Sequence, residues 1–268
     1  MEGETILLTI DPQDDFSIPT GSLFVKGADK DMTRLSKAVS KNKGRIDRIV
    51  CTKDAHRSLH IAHPVWWVDQ SDKHPSPFTV ISASDVESGK WRAYNHGYQA
   101  KSLDYVKKLD ATPNKYMLCI WPPHCLIGSK GFTIHSELFA AFQEWESQFA
   151  VVDFVTKGSN IFTEHYSAFK AEVFDPDDAE GTGPNMRMVE YLKDADRIYI
   201  AGEALSHCVR ATVTDIADHF GDAYVKKFVL LEDACSSVGG FEKQGEEFIQ
   251  KMIRRGMHVT TTDKFDKI

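Results

Sequence analysis

Short runs of apolar and β-branched residues recur along the chain at 5–10, 46–51, 151–156, 197–201, 227–231 and 258–262, and each predicts a strand. Between most of them apolar residues return every three or four positions. The clearest such stretches, 31–40, 135–146, 185–192, 209–219 and 245–255, predict helices with one face turned to a core. Strand alternating with helix implies right-handed crossovers. The expected architecture is a doubly wound, mainly parallel sheet of about six strands in a Rossmann-like three-layer α/β/α arrangement. One stretch breaks the rhythm. Residues 64–114 carry Trp66, Trp67, Trp91, Tyr94 and several prolines, with no long uninterrupted period of either kind. So long a bare loop is uncommon, so the stretch reads as an insertion after the second strand with structure of its own, within one domain spanning 1–268.

Polar residues fall at informative places in this pattern. In a doubly wound sheet, ligands bind beyond the carboxyl ends of the strands, near the point where strand order reverses. Asp11 follows the first expected strand, Asp54 and His56 the second, Lys157 the third, and the turn at 202–207 follows the fourth and leads into Cys208. All four clusters therefore belong to one rim of the sheet. Cys208 falls at a helix start, where unpaired N–H groups and the positive end of the dipole favour a thiolate. With Asp11 as base and Lys157 as electrostatic partner, this is the acyl-transfer pattern of an activated nucleophile.

Composition narrows the partners. A net charge of −7 and a pI near 5.9 argue against a nucleic-acid partner, which would require a basic face. No apolar run approaches the roughly 20 residues of a membrane span, and the start lacks the basic and apolar regions of a secretory signal, so a cytoplasmic location is expected. Five cysteines without C-x-x-C spacing disfavour a disulfide framework or a zinc ribbon. Cys51, Cys119 and Cys235 are expected as small buried hydrophobes.

Five segments, in order, give the chain a family resemblance. Asp11-Pro12-Gln13-Asp14-Asp15-Phe16 resembles the D-x-Q-x-D-F opening of the isochorismatase-like cysteine hydrolases. Thr52-Lys53-Asp54-Ala55-His56 with His60 resembles the metal loop of the nicotinamidases, and Trp121-Pro122-Pro123-His124-Cys125 their W-P-x-H-C segment. Lys157-Gly158 followed by Tyr166-Ser167-Ala168-Phe169 resembles the catalytic-lysine segment. Gly202-Glu203-Ala204-Leu205-Ser206-His207-Cys208-Val209 resembles the nucleophile turn, with Glu203-Ala204-Leu205-Ser206 in place of the commoner V-A-T-D.

The resemblance implies a metal-assisted amidohydrolase, closest to the nicotinamidases, that turns nicotinamide and water into nicotinate and ammonia through a thioester on Cys208. Asp11, Lys157 and Cys208 would be catalytic, with the N–H groups of Ala204 and Cys208 as oxyanion donors and a cis peptide between Glu203 and Ala204. Asp54, His56 and His124 would hold one divalent ion, Zn2+ before Fe2+ or Mn2+. His60 is preferred as a fourth ligand over His63, which precedes a proline. His63, His74 and His96 are expected at the surface, and His207 in a minor or structural role. Phe16, Trp121 and Tyr166 would flank the substrate. No nucleotide cofactor is expected, and the family implies homo-oligomerisation. Two alternatives remain: a relative acting on a ureido, carbamoyl or maleamate-like amide, and a catalytically silent binder of a metabolite or protein. A true isochorismatase, acting on a vinyl ether, would not need the cysteine.

Overall fold

The computed structural model describes residues 3–113 and 115–265. Its central sheet comprises β1 (Glu4–Ile10), β2 (Arg48–Asp54), β3 (Asp153–Lys157), β4 (Ala195–Gly202), β5 (Phe228–Leu231) and β6 (His258–Thr260). The strands lie in the order β6-β5-β4-β1-β2-β3, and every neighbouring pair is parallel. Order therefore reverses between β1 and β4, and a crevice opens beyond their carboxyl ends.

Alternation along the strands explains the three layers. Ile6, Leu8 and Ile10 of β1 face one core with Ile198, Ile200, Phe228 and Leu230. That face is covered by α4 (Met186–Leu192), α5 (Arg210–Phe220) and α6 (Glu242–Arg255), through residues such as Met188, Val213 and Met252. Leu7, Ile49, Tyr199 and Val229 face the other core, under α1 (Ala28–Asn42) and α3 (Ser136–Glu146). Among the described residues no helix is long and apolar enough to cross a membrane.

Two departures from the sequence reading matter. First, β2 runs on to Asp54 instead of stopping at Cys51, because Val50 to Asp54 pair in register with Asp153 to Lys157. Asp54 and Lys157 are thus direct neighbours across two strand ends. Second, the stretch read as lacking a long period contains α2 (Gln99–Ala111), which buries Ser102, Tyr105, Val106 and Leu109. It also contains a short helix, Ala83–Glu87, and strands of two small antiparallel pairs, Trp67–Val68 with Arg92–Ala93 and Val80–Ile81 with Leu118–Cys119, the last of which lies past the expected end of the stretch. Asn114, the end drawn for the insertion, lies outside the described residues. This segment shares a third core with the crevice: Trp66, Trp67, Ile81 and Val106 cluster with Phe16, Trp121 and Ala204.

Candidate active site and metal centre

Asp11 stands just past β1, with a left-handed φ of 46° that turns its side chain into the crevice. Thr52 on the adjacent β2 holds it twice: the Asp11 N–H donates to Thr52 Oγ1 (3.1 Å), and that hydroxyl donates to Asp11 Oδ1 (2.6 Å). Lys157, 3% exposed, reaches Asp11 Oδ2 at 2.9 Å and also donates to Asp54 Oδ1 and the His165 carbonyl. Its Nζ lies 3.6 Å from Cys208 Sγ. Acid, amine and thiol, far apart in the chain, meet within one buried cluster, and Asp11, Asp54 and Cys208 offer atoms all within 4.8 Å of one another.

The charges are unequal. Burial raises Asp11, and Asp54 adds to the rise against the pull of Lys157, so Asp11 is the better proton acceptor. Burial works against Asp54 too, but Lys157 and His56 outweigh it and hold that carboxyl well below its usual range. Lys157 is pushed far above its ordinary value; burial opposes this, and its two carboxylate neighbours prevail.

The turn leading into Cys208 is shaped by backbone crowding. Gly202 has φ 119°, and a Cβ there would sit 2.0 Å from the Ile10 carbonyl oxygen. The Glu203–Ala204 peptide is cis, as the resemblance implied. Leu205–Val209 then forms one π-helical turn running into α5, with the Val209 N–H donating to the Ala204 carbonyl at 3.2 Å.

The expectation of a resting thiolate is corrected here. Cys208 is 6% exposed, and its burial, the largest influence, raises the thiol well above 9; Lys157 lowers it, but Asp11 and Asp54 add to the rise. Proximity to a helix start does not compensate for lost hydration beside two carboxylates. Alkylation of Cys208 by iodoacetamide in the free protein should therefore be slow at pH 7 and still climbing beyond pH 9. Mass spectrometry of the labelled peptide reads it, and a plateau below pH 7.5 would refute the assignment.

Asp54, His56 and His124 bring ligand atoms within 4.8 Å of one another. Each histidine is oriented by the backbone: His56 Nδ1 donates to Gly158 O (3.0 Å) and His124 Nδ1 to Pro122 O (2.8 Å), which leaves Nε2 of each ring as the ligand atom. The first contact depends on close approach, since a Cβ on Gly158 would stand 2.8 Å from His56 Cε1. His56 Nε2 is buried without a hydrogen-bond partner, 3.7 Å from Asp54 Oδ2, with His124 Nε2 3.9 Å from the same oxygen. Burial holds His124 down to about 3, a neutral ring with a lone pair to offer. His56 differs: burial opposes its proton, but Asp54 and Glu164 outweigh burial and raise it, so an ion held by this carboxylate and these two imidazoles would displace a proton there.

His60 and His63 both lie beside this group, and the surface position expected of His63 is corrected. Both nitrogens of His60 are engaged, with Nδ1 accepting from Ala62 N–H and Nε2 donating to Thr163 O, each at 3.2 Å. It could ligate only by giving up one of these. His63 is not at the surface: it is fully buried, its Nδ1 donates to Ser58 O (3.2 Å) and its Nε2 has no partner. A neighbouring proline extends the backbone without deciding where the ring points. Neither joins the Asp54–His56–His124 group; His60 instead lies with His56 and Glu164 in a second one.

Above Cys208 lies a narrow cavity walled by Phe16, Leu23, Trp121, Tyr166 and Val238, with Asp54, His124 and Glu164 at its polar end. Trp121 Nε1 donates to Tyr166 Oη at 3.0 Å, which fixes two of the walls. His207, the residue before Cys208, also lines it, stacked on Tyr116 at 4.5 Å and edge-on to Trp121 at 5.2 Å.

No family model matches the chain. Among curated proteins it is similar to the nicotinamidase of Saccharomyces cerevisiae, 26% identical over 214 residues, which are 79% of this chain and 81% of that protein. The solved yeast nicotinamidase bound to the inhibitor nicotinaldehyde matches with a TM-score of 0.66 at 21% identity, over 96% of this chain and 99% of that one. An isochorismatase family protein from Desulfovibrio vulgaris matches with a TM-score of 0.54 at 18% identity, over 99% and 97%. This chain has the isochorismatase-like fold. The pyrazinamidase of Pyrococcus horikoshii, solved in complex with zinc, shares it at a TM-score of 0.56 and 20% identity, over 96% and 99%.

Within the isochorismatase-like fold, some site residues carry no separate signal in the sequence reading. Gln13 bridges to the Asp54 backbone, donating to its O (2.8 Å) and accepting from its N–H (2.7 Å). Asp15 accepts from Cys125 N–H (2.6 Å) and so pins the loop that carries His124. Both belong to the D-x-Q-x-D-F segment, whose spacing could have suggested them. Glu164, buried at the cavity's end 3.9 Å from His56 Nε2, has no spacing motif to reveal it.

Proposed function

We propose that this chain is a cysteine amidohydrolase acting on a small planar carboxamide, nicotinamide first among them. The observation that carries it is the convergence on Lys157 Nζ of Asp11 at 2.9 Å and Cys208 at 3.6 Å, beneath an aromatic-walled cavity. The relatives' names support the choice of substrate.

Asp11 takes the Sγ proton as the sulfur adds to the amide carbon, so no free thiolate need exist beforehand. The new oxyanion is received by the N–H groups of Ala204 and Cys208. Asp11 returns the proton to the leaving nitrogen, the C–N bond breaks, ammonia departs and a thioester remains. Asp11 then takes a proton from water, the hydroxide adds to the thioester, the C–S bond breaks, and the sulfur recovers the proton. Lys157 stays charged throughout and steadies Asp11 in its anionic phases. Phe16, Trp121 and Tyr166 flank the planar ring and exclude water.

Asp54, His56 and His124 would hold a divalent ion, with His63 Nε2 the nearby free nitrogen and zinc the first candidate. When bound, the ion supplies an electrophilic anchor for a ring nitrogen or its water, orienting the carboxamide. Homo-oligomerisation is part of the same reading.

The test is ammonia release from a panel of amides, with metal analysis of the same sample. Nicotinamide should turn over fastest. Release from ureido, carbamoyl or maleamate-like amides alone would move the substrate assignment, and binding without turnover would sink the amidase reading. Stripping the ion should lower kcat/KM by about 100-fold, because a misplaced carboxamide loses its attack geometry, and re-addition should restore it. An unchanged kcat/KM in demonstrably metal-free protein would remove the ion's role.

A further inference from the structure

A polar cluster that the mechanism does not use is sealed beneath the nucleophile turn. Glu203, the residue before the proposed oxyanion donor Ala204, is completely buried, and its N–H donates to Ile10 O at 2.7 Å. Its Oε2 accepts the Ser236 N–H at 3.1 Å, while Oε1 meets no donor among the described residues. The carboxyl's other polar neighbour is another carboxyl, that of Asp31 on α1, which is 2% exposed. Asp31 in turn accepts from Ser236 Oγ at 2.5 Å and from the Arg34 guanidinium. The Ser236 carbonyl closes the ring by accepting the Leu205 N–H at 2.8 Å. One residue, Ser236, therefore grips the turn on both sides of Ala204.

We propose that Glu203 is a positioning residue for the nucleophile turn, its carboxyl bridging Asp31 and the Ser236 N–H so that Ala204 N–H and Cys208 are held in fixed relation. The inference rests on the amidase reading for its kinetic consequence, though not for the cluster itself. Two carboxyl groups can sit together here only if one of them carries a proton, because Arg34, the cation beside them among the described residues, also serves Asp233 through its carbonyl. Burial, then the charge of Asp31, raises Glu203 far above the usual carboxyl range; burial also raises Asp31, against the pull of Ser236 and Arg34. The proton belongs to Glu203 because Asp31 already accepts from Ser236 Oγ and the Arg34 guanidinium, whereas Glu203 Oε1 meets no donor and can itself donate to Asp31. The charged or titratable groups facing it are Asp31 and Arg34 from α1, with Asp233 and Cys235 from the segment after β5. Cys235 adds no competing charge, since burial and then Glu203 keep its thiol protonated. Above the raised value of Glu203 the proton leaves, two carboxylates oppose each other, and the turn loses its tie to α1.

The experiment compares kcat and KM against pH for the wild type, Glu203→Gln and Glu203→Val. Glutamine can donate to Asp31 and accept from Ser236 N–H, and it cannot ionise. Glu203→Gln should keep kcat at pH 7 within about threefold and decline less at alkaline pH than the wild type. Glu203→Val should lose kcat by about 10- to 100-fold with KM nearly unchanged, as a misplaced turn predicts. Superimposable pH profiles for wild type and Glu203→Gln would overturn the proposal, as would a Glu203→Val kcat equal to wild type. If Glu203→Val fails to fold, the glutamine comparison decides alone. If the wild type releases no ammonia from any amide, the amidase reading fails separately, and Cys208 alkylation replaces turnover. Its rate should then depend differently on pH in wild type and Glu203→Gln, and identical curves would overturn the proposal.

Discussion

Replacing Cys208 by alanine should lower amide turnover by roughly 10,000-fold or more, the usual consequence of deleting an acyl-transfer nucleophile. The fold should survive. Cys208 contributes one small side chain to the core of β1, β4 and α5, and losing its sulfur costs on the order of 1 kcal/mol. Asp11→Asn should be comparably inactive, since the amide cannot take the thiol proton, yet it relieves crowding: Lys157 keeps Asp54 as partner after Asp11 is neutralised. Cys235→Ala, behind the same turn, should stay nearly active. Ammonia release together with thermal melts measures all three, and full turnover in Cys208→Ala would end the proposed chemistry.

Lys157→Met is expected to behave differently, failing in stability as well as activity. It removes the cation that lies against Asp11 and Asp54, both all but inaccessible to solvent. Breaking a buried pair in this way typically costs about 3–5 kcal/mol. The pH dependence carries a definite sign. In the wild type Asp54 is depressed, so its stabilisation is present above its unfolded value of 3.8 and is lost as pH falls through the folded one. Without Lys157 the carboxyls rise instead, and their penalty is complete above the raised values and fades as pH falls. The stability gap between wild type and Lys157→Met, measured by urea unfolding in metal-free protein, should therefore narrow from pH 7 to pH 5. Adding Asp11→Asn should recover part of the loss without restoring turnover. A constant gap would mean that the two carboxylates do not depend on this amine.

Much of this site was legible in the sequence for a topological reason. In a doubly wound sheet the strand ends bring distant residues together, so Asp11, Asp54, Lys157 and the turn to Cys208 could be placed from strand order before any distance was known. What escaped was tertiary. The charge state of Cys208 depends on burial beside two carboxylates, which a helix start does not disclose. His63 is expected at the surface with His74 and His96, whereas its ring is enclosed among His56, His60 and His124. Glu164 reaches His56 through folding alone, with more than a hundred residues between them. Helix α2 escaped because the first of its buried positions is the polar Ser102, which leaves Tyr105, Val106 and Leu109 as too short an apolar pattern to stand out.

The aromatic cavity and the segment before it solidify as one body, because Phe16 and Trp121 are packed in the same cluster as Trp66, Trp67, Ile81 and Val106. Pruning the segment to make a smaller catalyst would not bare the pocket to larger molecules; it would dissolve part of the pocket's own masonry. Engineers seeking a new preference should accordingly look past the first ring of contacts, to tryptophans that no substrate touches.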